Sequence, residues 1–279
     1  MKTIGFIDYY ISEWHANNYV VWFKQICEET GADFVVKYAW AEKYVSPRDG
    51  VNTDEWCKKF GVEKCDTMEE LCEKADYIII LAPSTPEKHL EYAEIALKYG
   101  KHTYIDKTFA PDYETAKKIY ALGEKYSTKF FSSSALRYAT ELDELKGSRA
   151  LVVTGGGTSL EEYIIHQVEI AVKVLQSKAV AVRVENQDAQ YFVRVKFEDG
   201  KQATMVLAFM EFAVAGQNAG EGPHYFLVQS PYFMNLLKDI LRFFNTGELS
   251  FPASETLETM RLRDAIIKGK SRLGEWVDI

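Results

Sequence analysis

Apolar runs and amphipathic stretches alternate through the first half of the chain, and this alternation limits the fold more than any other feature. Thr3 to Ile7 is an apolar run suited to a buried strand. Ser12 to Glu29 follows, with Tyr19, Phe23 and Ile26 on one helical face and Gly31 as a stop signal. Phe34 to Tyr38 reads as the second strand, and Ser46 to Asp54 as polar loop. Thr67-Met68-Glu69-Glu70 has the form of a capping box that opens a short helix. Tyr77 to Leu81 is almost wholly apolar, as in a parallel strand covered on both faces. Thr85-Pro86 then caps and starts a helix striped by Leu90, Ala93 and Leu97 and ended by Gly100. A strand over His102 to Ile105, a helix from Pro111-Asp112 with Ala116, Ile119 and Tyr120 inward, and a strand over Lys129 to Ser132 continue the series. The rhythm predicts an α/β protein whose N-terminal part is a doubly wound parallel sheet.

The second half has another texture. Asp188 to Phe197 and Gln202 to Phe209 are alternating runs joined by the turn Glu198-Asp199-Gly200-Lys201, which predicts an antiparallel hairpin. Helices are expected over Pro231 to Asn245 and Ser254 to Lys268, and a short strand near Trp276. A C-terminal α+β domain with a largely antiparallel open sheet follows, with the boundary near Tyr138 to Gly147, hence domains 1–138 and 139–279. The length of 279 residues suits two domains, and 47% hydrophobic with 27% charged residues suits a globular chain. The formal charge of −8 argues against a nucleic-acid or acidic-membrane partner, since both require a basic footprint. Met1 to Asp8 is too short an apolar start for a secretion signal, and no window reaches the ~20 apolar residues of a membrane span. Cys27, Cys57, Cys65 and Cys72 form no C-x-x-C pair and read as reduced thiols, which points to the cytoplasm.

Ligands of a doubly wound sheet bind beyond the carboxyl ends of its strands. The tips here are Asp8 to Glu13, Ala39 to Glu42, Ala82 to Thr85 and Asp106 to Ala110, and the third tip leads to His89. Lys107 is a charged residue at one tip; in isolation such a lysine is more often a solvated surface residue than a catalyst. Glu162 and His166 lie four apart and share one helical face, as a satisfied core pair or as an acid–base pair. Gly155-Gly156-Gly157 before them either cradles an anion or lets a turn pack closely. No residue set has the spacing of a metal site.

The order of these motifs resembles the Gfo/Idh/MocA family of NAD(P)-dependent sugar and cyclitol oxidoreductases. Asp76 to Arg137 is similar to its Rossmann half, through Ile80-Leu81-Ala82-Pro83-Ser84, His89 and Gly100-Lys101-His102-Thr103-Tyr104-Ile105-Asp106-Lys107. The family's strand running into Glu-Lys-Pro here reads Asp106-Lys107-Thr108, and its glycine triplet with Asp-x-x-x-His reads Gly155-Gly156-Gly157 with Glu162-x-x-x-His166. Glu255 through Arg272 is similar to the family's last helix. The resemblance implies hydride transfer between NAD or NADP and a secondary alcohol of a sugar, cyclitol or polyol, with Lys107, His166 and Glu162 catalytic. Lys107 would hold the oxygen, His166 would take the hydroxyl proton, and Glu162 would orient His166 or bind a substrate hydroxyl. It implies cofactor contacts from Ile7, Tyr9, Tyr10 and Ile11 at the first turn, from Trp40 after the second strand, and from Pro83, Ser84, His89 and Asp106. Arg137 and Tyr138 would line the substrate cleft. Relatives pair through the C-terminal sheet, so a homodimer or homotetramer is expected.

The first turn departs from the family. It reads Ile7-Asp8-Tyr9-Tyr10-Ile11-Ser12-Glu13, and no glycine occurs between Gly5 and Gly31. The G-x-G-x-x-G glycines bring backbone close to the diphosphate, and a left-handed residue with a Cβ costs roughly 1–2 kcal/mol instead. Asp8 and Glu13 put carboxylates at the helix head, where they satisfy its dipole and repel an anion. Two readings follow: an oxidoreductase that holds NAD(P) through an altered turn, or a cofactor-free paralogue that binds a sugar-like ligand as sensor, partner subunit or non-redox enzyme.

Overall fold

The computed structural model describes residues 1–157, 159–208, 210–217 and 222–279. The described chain divides into two compact units, Met1–Ser133 with Leu236–Ser250, and Ser134–Asn235 with Phe251–Ile279.

In the first unit β1 (Lys2–Asp8), α1 (Trp14–Thr30), β2 (Phe34–Ala41), α2 (Thr53–Phe60), β3 (Glu63–Lys64), α3 (Met68–Lys74), β4 (Tyr77–Ile80), α4 (His89–Ala96), β5 (Thr103–Ile105), α5 (Tyr113–Tyr126) and β6 (Phe130–Phe131) follow one another. The six strands form one sheet in the order β3-β2-β1-β4-β5-β6, and every neighbouring pair is parallel. This is the Rossmann-like doubly wound sheet expected from the sequence. Ile4, Phe6 and Ile7 of β1 and Ile78, Ile79 and Ile80 of β4 are fully buried, which is why these strands are continuous apolar runs. Helix ends follow the sequence signals. Gly31 and Gly100 take left-handed φ, and the side chains of Thr67 and Asp112 accept from Glu70 N and Thr115 N.

Three local expectations are corrected. Thr53–Phe60 is a helix rather than the end of a loop, because Asn52 and Glu55 form a reciprocal capping box and Trp56 anchors the turn in the core. Thr85 makes no side-chain cap; Pro86–Lys88 is a single 3₁₀ turn, and Tyr92 rather than Leu90 joins Ala93 on the buried face of α4. Asp188 lies in the tight turn of a hairpin with φ 55° rather than in a strand.

The second unit holds β7 (Ala150–Gly155), α6 (Leu160–Leu175), β8 (Ala179–Gln187), β9 (Gln190–Phe197), β10 (Gln202–Leu207), β11 (Ala213–Gln217) and β12 (Pro223–Leu227). Then come α7 (Tyr232–Thr246), whose residues from Leu236 belong to the first unit, α8 (Ala253–Gly269) and β13 (Trp276–Asp278). The strands form one seven-stranded sheet, β12-β11-β7-β10-β9-β8-β13. All neighbours are antiparallel except β7 and β10, which are parallel. The expected hairpin is β9–β10, with Gln202 opposite Lys196; its last predicted residue, Phe209, lies outside the described residues. The core of this unit is α6, with Leu262 and Ile266 of α8, against the inward side chains of the sheet. Among the described residues no helix is long and apolar enough to cross a membrane, and the four cysteines are free thiols.

Candidate functional site

The carboxyl ends of β1, β4 and β5 carry most of the expected first-unit residues. The chain leaves β1 for β2 on one side and later crosses to β4 on the other, so the edge beyond β1 is the topological switch point. Asp8 closes β1 and is buried. Its Oδ1 accepts from Tyr9 N at 2.7 Å and from Ala82 N at 3.0 Å, which ties the tips of β1 and β4 together. Burial, and then the nearby Glu13 carboxylate, push the Asp8 carboxyl above the usual carboxylate range. Asp106 sits beyond β5, with Tyr104 Oη donating to its Oδ1 at 3.1 Å. Lys107 follows it, 9% exposed, and its Nζ donates to Pro83 O at 3.3 Å. The His89 ring nitrogens lie 3.0 Å from Phe109 O and 2.6 Å from Leu81 O, both acceptors, and burial lowers the imidazole pKa.

The turn between β1 and α1 is filled by the chain itself. Ile7, Ile11, Ser12 and Glu13 are buried, and Tyr9 and Tyr10 are half-buried. Glu13 is the N-cap of α1, and its carboxylate accepts from His15 N and Ala16 N. His15 Nδ1 lies 3.4 Å from Glu13 Oε2 and 3.7 Å from Asp106 Oδ2. The segment after β2 crosses this turn. Glu42 N donates to Asp8 O at 3.1 Å and Lys43 N to Tyr9 O at 2.7 Å. Ser46 Oγ donates to Ser12 O at 2.9 Å, and Ser12 Oγ to Asp49 Oδ2 at 2.8 Å. Trp40 packs edge-on against Tyr92, whose hydroxyl donates to Glu42. Ser84 is exposed beside the buried Pro83.

In the second unit β7 runs through the glycine triplet toward α6. Gly155 and Gly156 have φ of 124° and 129°. A Cβ at Gly155 would lie 2.8 Å from Phe212 Cα, one at Gly156 2.3 Å from Leu207 Cδ1, and one at Gly157 2.5 Å from the Tyr163 ring. Close packing therefore accounts for the triplet, and an anion cradle is not needed to explain it. Ser159 caps α6 by accepting from Glu162 N at 3.2 Å, so Glu162 lies in the first turn and His166 one turn on, both half-buried. His166 Nδ1 is 2.7 Å from Ser134 Oγ, and its ring meets Phe212 edge-on. Sequence reasoning did not select Ser134; the run Ser132-Ser133-Ser134 after a parallel strand was the available signal.

Arg137 is buried. Its Nη1 donates to Glu169 Oε1 at 2.9 Å, its Nη2 to Glu255, and its Cζ stands 3.7 Å from the Phe251 ring centroid. Burial pushes the Glu169 carboxyl above its ordinary range, against the pull of Arg137. Tyr138 is half-buried, and its carbonyl accepts from Asn235 Nδ2 at 3.1 Å. Among the described residues no group of three His, Cys, Asp or Glu side chains is placed to hold a metal ion.

The family model for the Gfo/Idh/MocA oxidoreductases, described as an oxidoreductase family with an NAD-binding Rossmann fold, matches residues 44–134. An uncharacterized oxidoreductase of Schizosaccharomyces pombe is 35% identical over 60 residues, 22% of this chain but only 16% of that protein's length. A probable dehydrogenase from Thermotoga maritima superposes with a TM-score of 0.80 at 14% identity, covering 99% of this chain and 98% of its own. Scyllo-inositol dehydrogenase from Lactobacillus casei, solved with NAD(H) and scyllo-inositol, gives 0.75 at 15% identity over 100% and 99%. At these identities the two structures establish a shared fold. What the family model matches is the Rossmann segment that contains Pro83, Asp106 and Lys107, and over this segment the chain is similar to the Gfo/Idh/MocA oxidoreductases.

Proposed function

We propose that the protein is an oxidoreductase that moves a hydride between NAD(P) and a secondary alcohol of a sugar, cyclitol or related polyol. The observation that carries this reading is Lys107, set at the tip of β5 inside the matched segment, nearly buried and held on Pro83 O. A lysine so fixed offers a positive charge at a nearly buried position, where it stabilises an alcohol oxygen as negative charge develops. His166 is the proton acceptor. In the tautomer that donates Nδ1–H to Ser134 Oγ, Nε2 carries the lone pair that would take the hydroxyl proton. Glu162, on the same face of α6, is assigned to a substrate hydroxyl or to the orientation of His166.

The edge at Pro83, Asp106 and Lys107 fits the nicotinamide half of the cofactor. Among the described residues the buried Asp106 Oδ2 has no hydrogen-bond partner, with His15 Nδ1 3.7 Å away, so an acceptor remains at the tip of β5. When bound, NAD(P)⁺ supplies the hydride acceptor. The head of α1 does not fit a diphosphate as it stands, because Glu13 already holds its amides. That observation favours a second reading, a paralogue that binds a sugar-like ligand without a dinucleotide. We assign the protein to the cytoplasm, in keeping with its free thiols, and to a homodimer or homotetramer formed through the second sheet.

Turnover with NAD⁺ and NADP⁺ over a panel of inositols, sugars and sugar acids tests the first reading, beside NADH titration by tryptophan quenching. Oxidation of one polyol with saturable cofactor binding is the expected result. No turnover, together with no saturation up to millimolar NADH or NADPH, would put the cofactor-free reading in its place.

A further inference from the structure

The head of α1 already contains a phosphate mimic. Glu13 is 4% exposed, its Oε2 accepts from His15 N at 2.7 Å, and its Oε1 accepts from Ala16 N. Helix-head amides are the donors that hold a diphosphate in a Rossmann turn, and a carboxylate bridging two of them meets the same need with a charge of the same sign. The arrangement is locked from two sides. Asp8 replaces a glycine's open space with a carboxyl fastened to Tyr9 N and Ala82 N. The segment from Lys43 to Asp49 is fastened across the turn through Tyr9 O and both polar groups of Ser12. Around the turn, Asp8 lies near the Glu13 carboxylate, His15 Nδ1 lies between Glu13 and Asp106 at 3.4 and 3.7 Å, and the lysines Lys43 and Lys88 stand over the Tyr9 ring rather than on the Glu13 carboxylate.

We propose that Glu13 competes with the dinucleotide for the head of α1 and so sets the cofactor affinity of this chain. While its carboxylate is seated, an incoming diphosphate finds two of its donors taken and a negative charge in its place. NAD(P) therefore binds weakly until Glu13 is removed or turned out. The inference rests on the proposal that NAD(P) is the cofactor, but it makes its own claim about the amides.

Glu13→Ser is the informative variant, because serine is short and neutral and still caps the helix. Glu13→Gln is the companion, since it removes only the charge. Each is titrated with NADH by tryptophan quenching, with inorganic pyrophosphate by calorimetry, and with adenosine as a phosphate-free control, after far-UV circular dichroism shows native folding. Glu13→Ser is expected to bind NADH about tenfold tighter than the parent or better, with Glu13→Gln between, and to gain pyrophosphate binding, while adenosine is unchanged. Affinities for NADH and pyrophosphate within about threefold of the parent in a folded Glu13→Ser would overturn the proposal and leave Glu13 a helix cap. So would a parent that binds NADH as tightly as the variant, although the oxidoreductase reading would then survive. Pyrophosphate binding gained without NADH binding upholds the competition and removes NAD(P) as the cofactor.

Discussion

Replacing Arg137 with leucine should destabilise the second unit severely. The guanidinium is 6% exposed and meets Glu169, which is 2% exposed, and Glu255, which is partly exposed. Removing one partner of a buried ion pair leaves the other charge uncompensated and costs about 3–5 kcal/mol. Loss of the contact over Phe251 adds about 0.5–1 kcal/mol. With a middle value of about 4 kcal/mol, and roughly 2–4 °C per kcal/mol for a chain of this size, the melting temperature should fall by about 8–16 °C. The pH dependence has a definite sign. The Glu169 carboxyl is already raised by burial, and without Arg137 it rises further. The folded state then holds that proton more tightly than the unfolded state, so stability is present in acid and is lost as pH rises above the ordinary carboxylate range. The deficit should be larger at pH 8 than at pH 5. Arg137→Leu combined with Glu169→Leu should recover most of the loss, because a well-packed apolar pair substitutes for a buried ion pair at little cost. Thermal scans of both singles and the double at the two pH values form the test. A fall of less than about 2 °C in Arg137→Leu would refute this account, since no stranded charge would then exist. If that variant also lost polyol binding, Arg137 would be a substrate contact, as the family resemblance implies.

Other perturbations test single features. Lys107→Met should lower turnover by about 10²–10³ with an unchanged melting temperature, and retained turnover would remove the ammonium from the chemistry. Asp8→Asn keeps an acceptor for Tyr9 N and Ala82 N but does not ionise. Because the native Asp8 carboxyl is raised, wild-type stability is lost as pH climbs from the ordinary value of 3.8, so the variant's gain in melting temperature should be absent near that pH and grow above it; a gain that shrinks as pH rises would contradict the assignment. Gly155→Ala should cost more than Gly156→Ala in urea unfolding. Both have positive φ, but the first Cβ meets Phe212 backbone and the second only the end of Leu207; the reverse order would show that the turn relaxes freely.

Where an element is buried on both sides, its identity is written in its own residues. β4 is Tyr-Ile-Ile-Ile, and the helices around it announce themselves through Thr67, Asp112, Gly31 and Gly100. Thr53–Phe60 escapes because it buries only Thr53, Trp56 and Cys57, too few to give a stripe, and its capping box begins inside a polar stretch. β7, β8, β11 and β12 escape because alternation over only five to nine residues resembles loop, and only their neighbours in the sheet supply the missing face. The parallel pairing of β7 with β10 has no local mark, since a long crossover rather than a turn creates it.

The site divides along the same line. Lys107 and His166 are singled out in the sequence only through the family resemblance, and Ser134 beside His166, and Glu169 and Glu255 around Arg137, are partners from 32 to 118 residues away. The altered turn shows how far residue types alone carry an argument. The loss of glycine is plain, and so is the presence of Asp8 and Glu13, yet the sequence does not say which amides they satisfy. A helix head has donors that must be met once it is buried. When side chains at 8 to 12 keep a ligand's backbone-close approach out, the chain has to supply the acceptor, and Glu13 is the residue in reach of His15 N and Ala16 N. The two changes are therefore coupled. Glycines restored at 8 and 10 without a change at 13 would open space at the turn and leave its donors occupied, so the identity of residue 13, more than the count of glycines, decides whether a diphosphate is admitted.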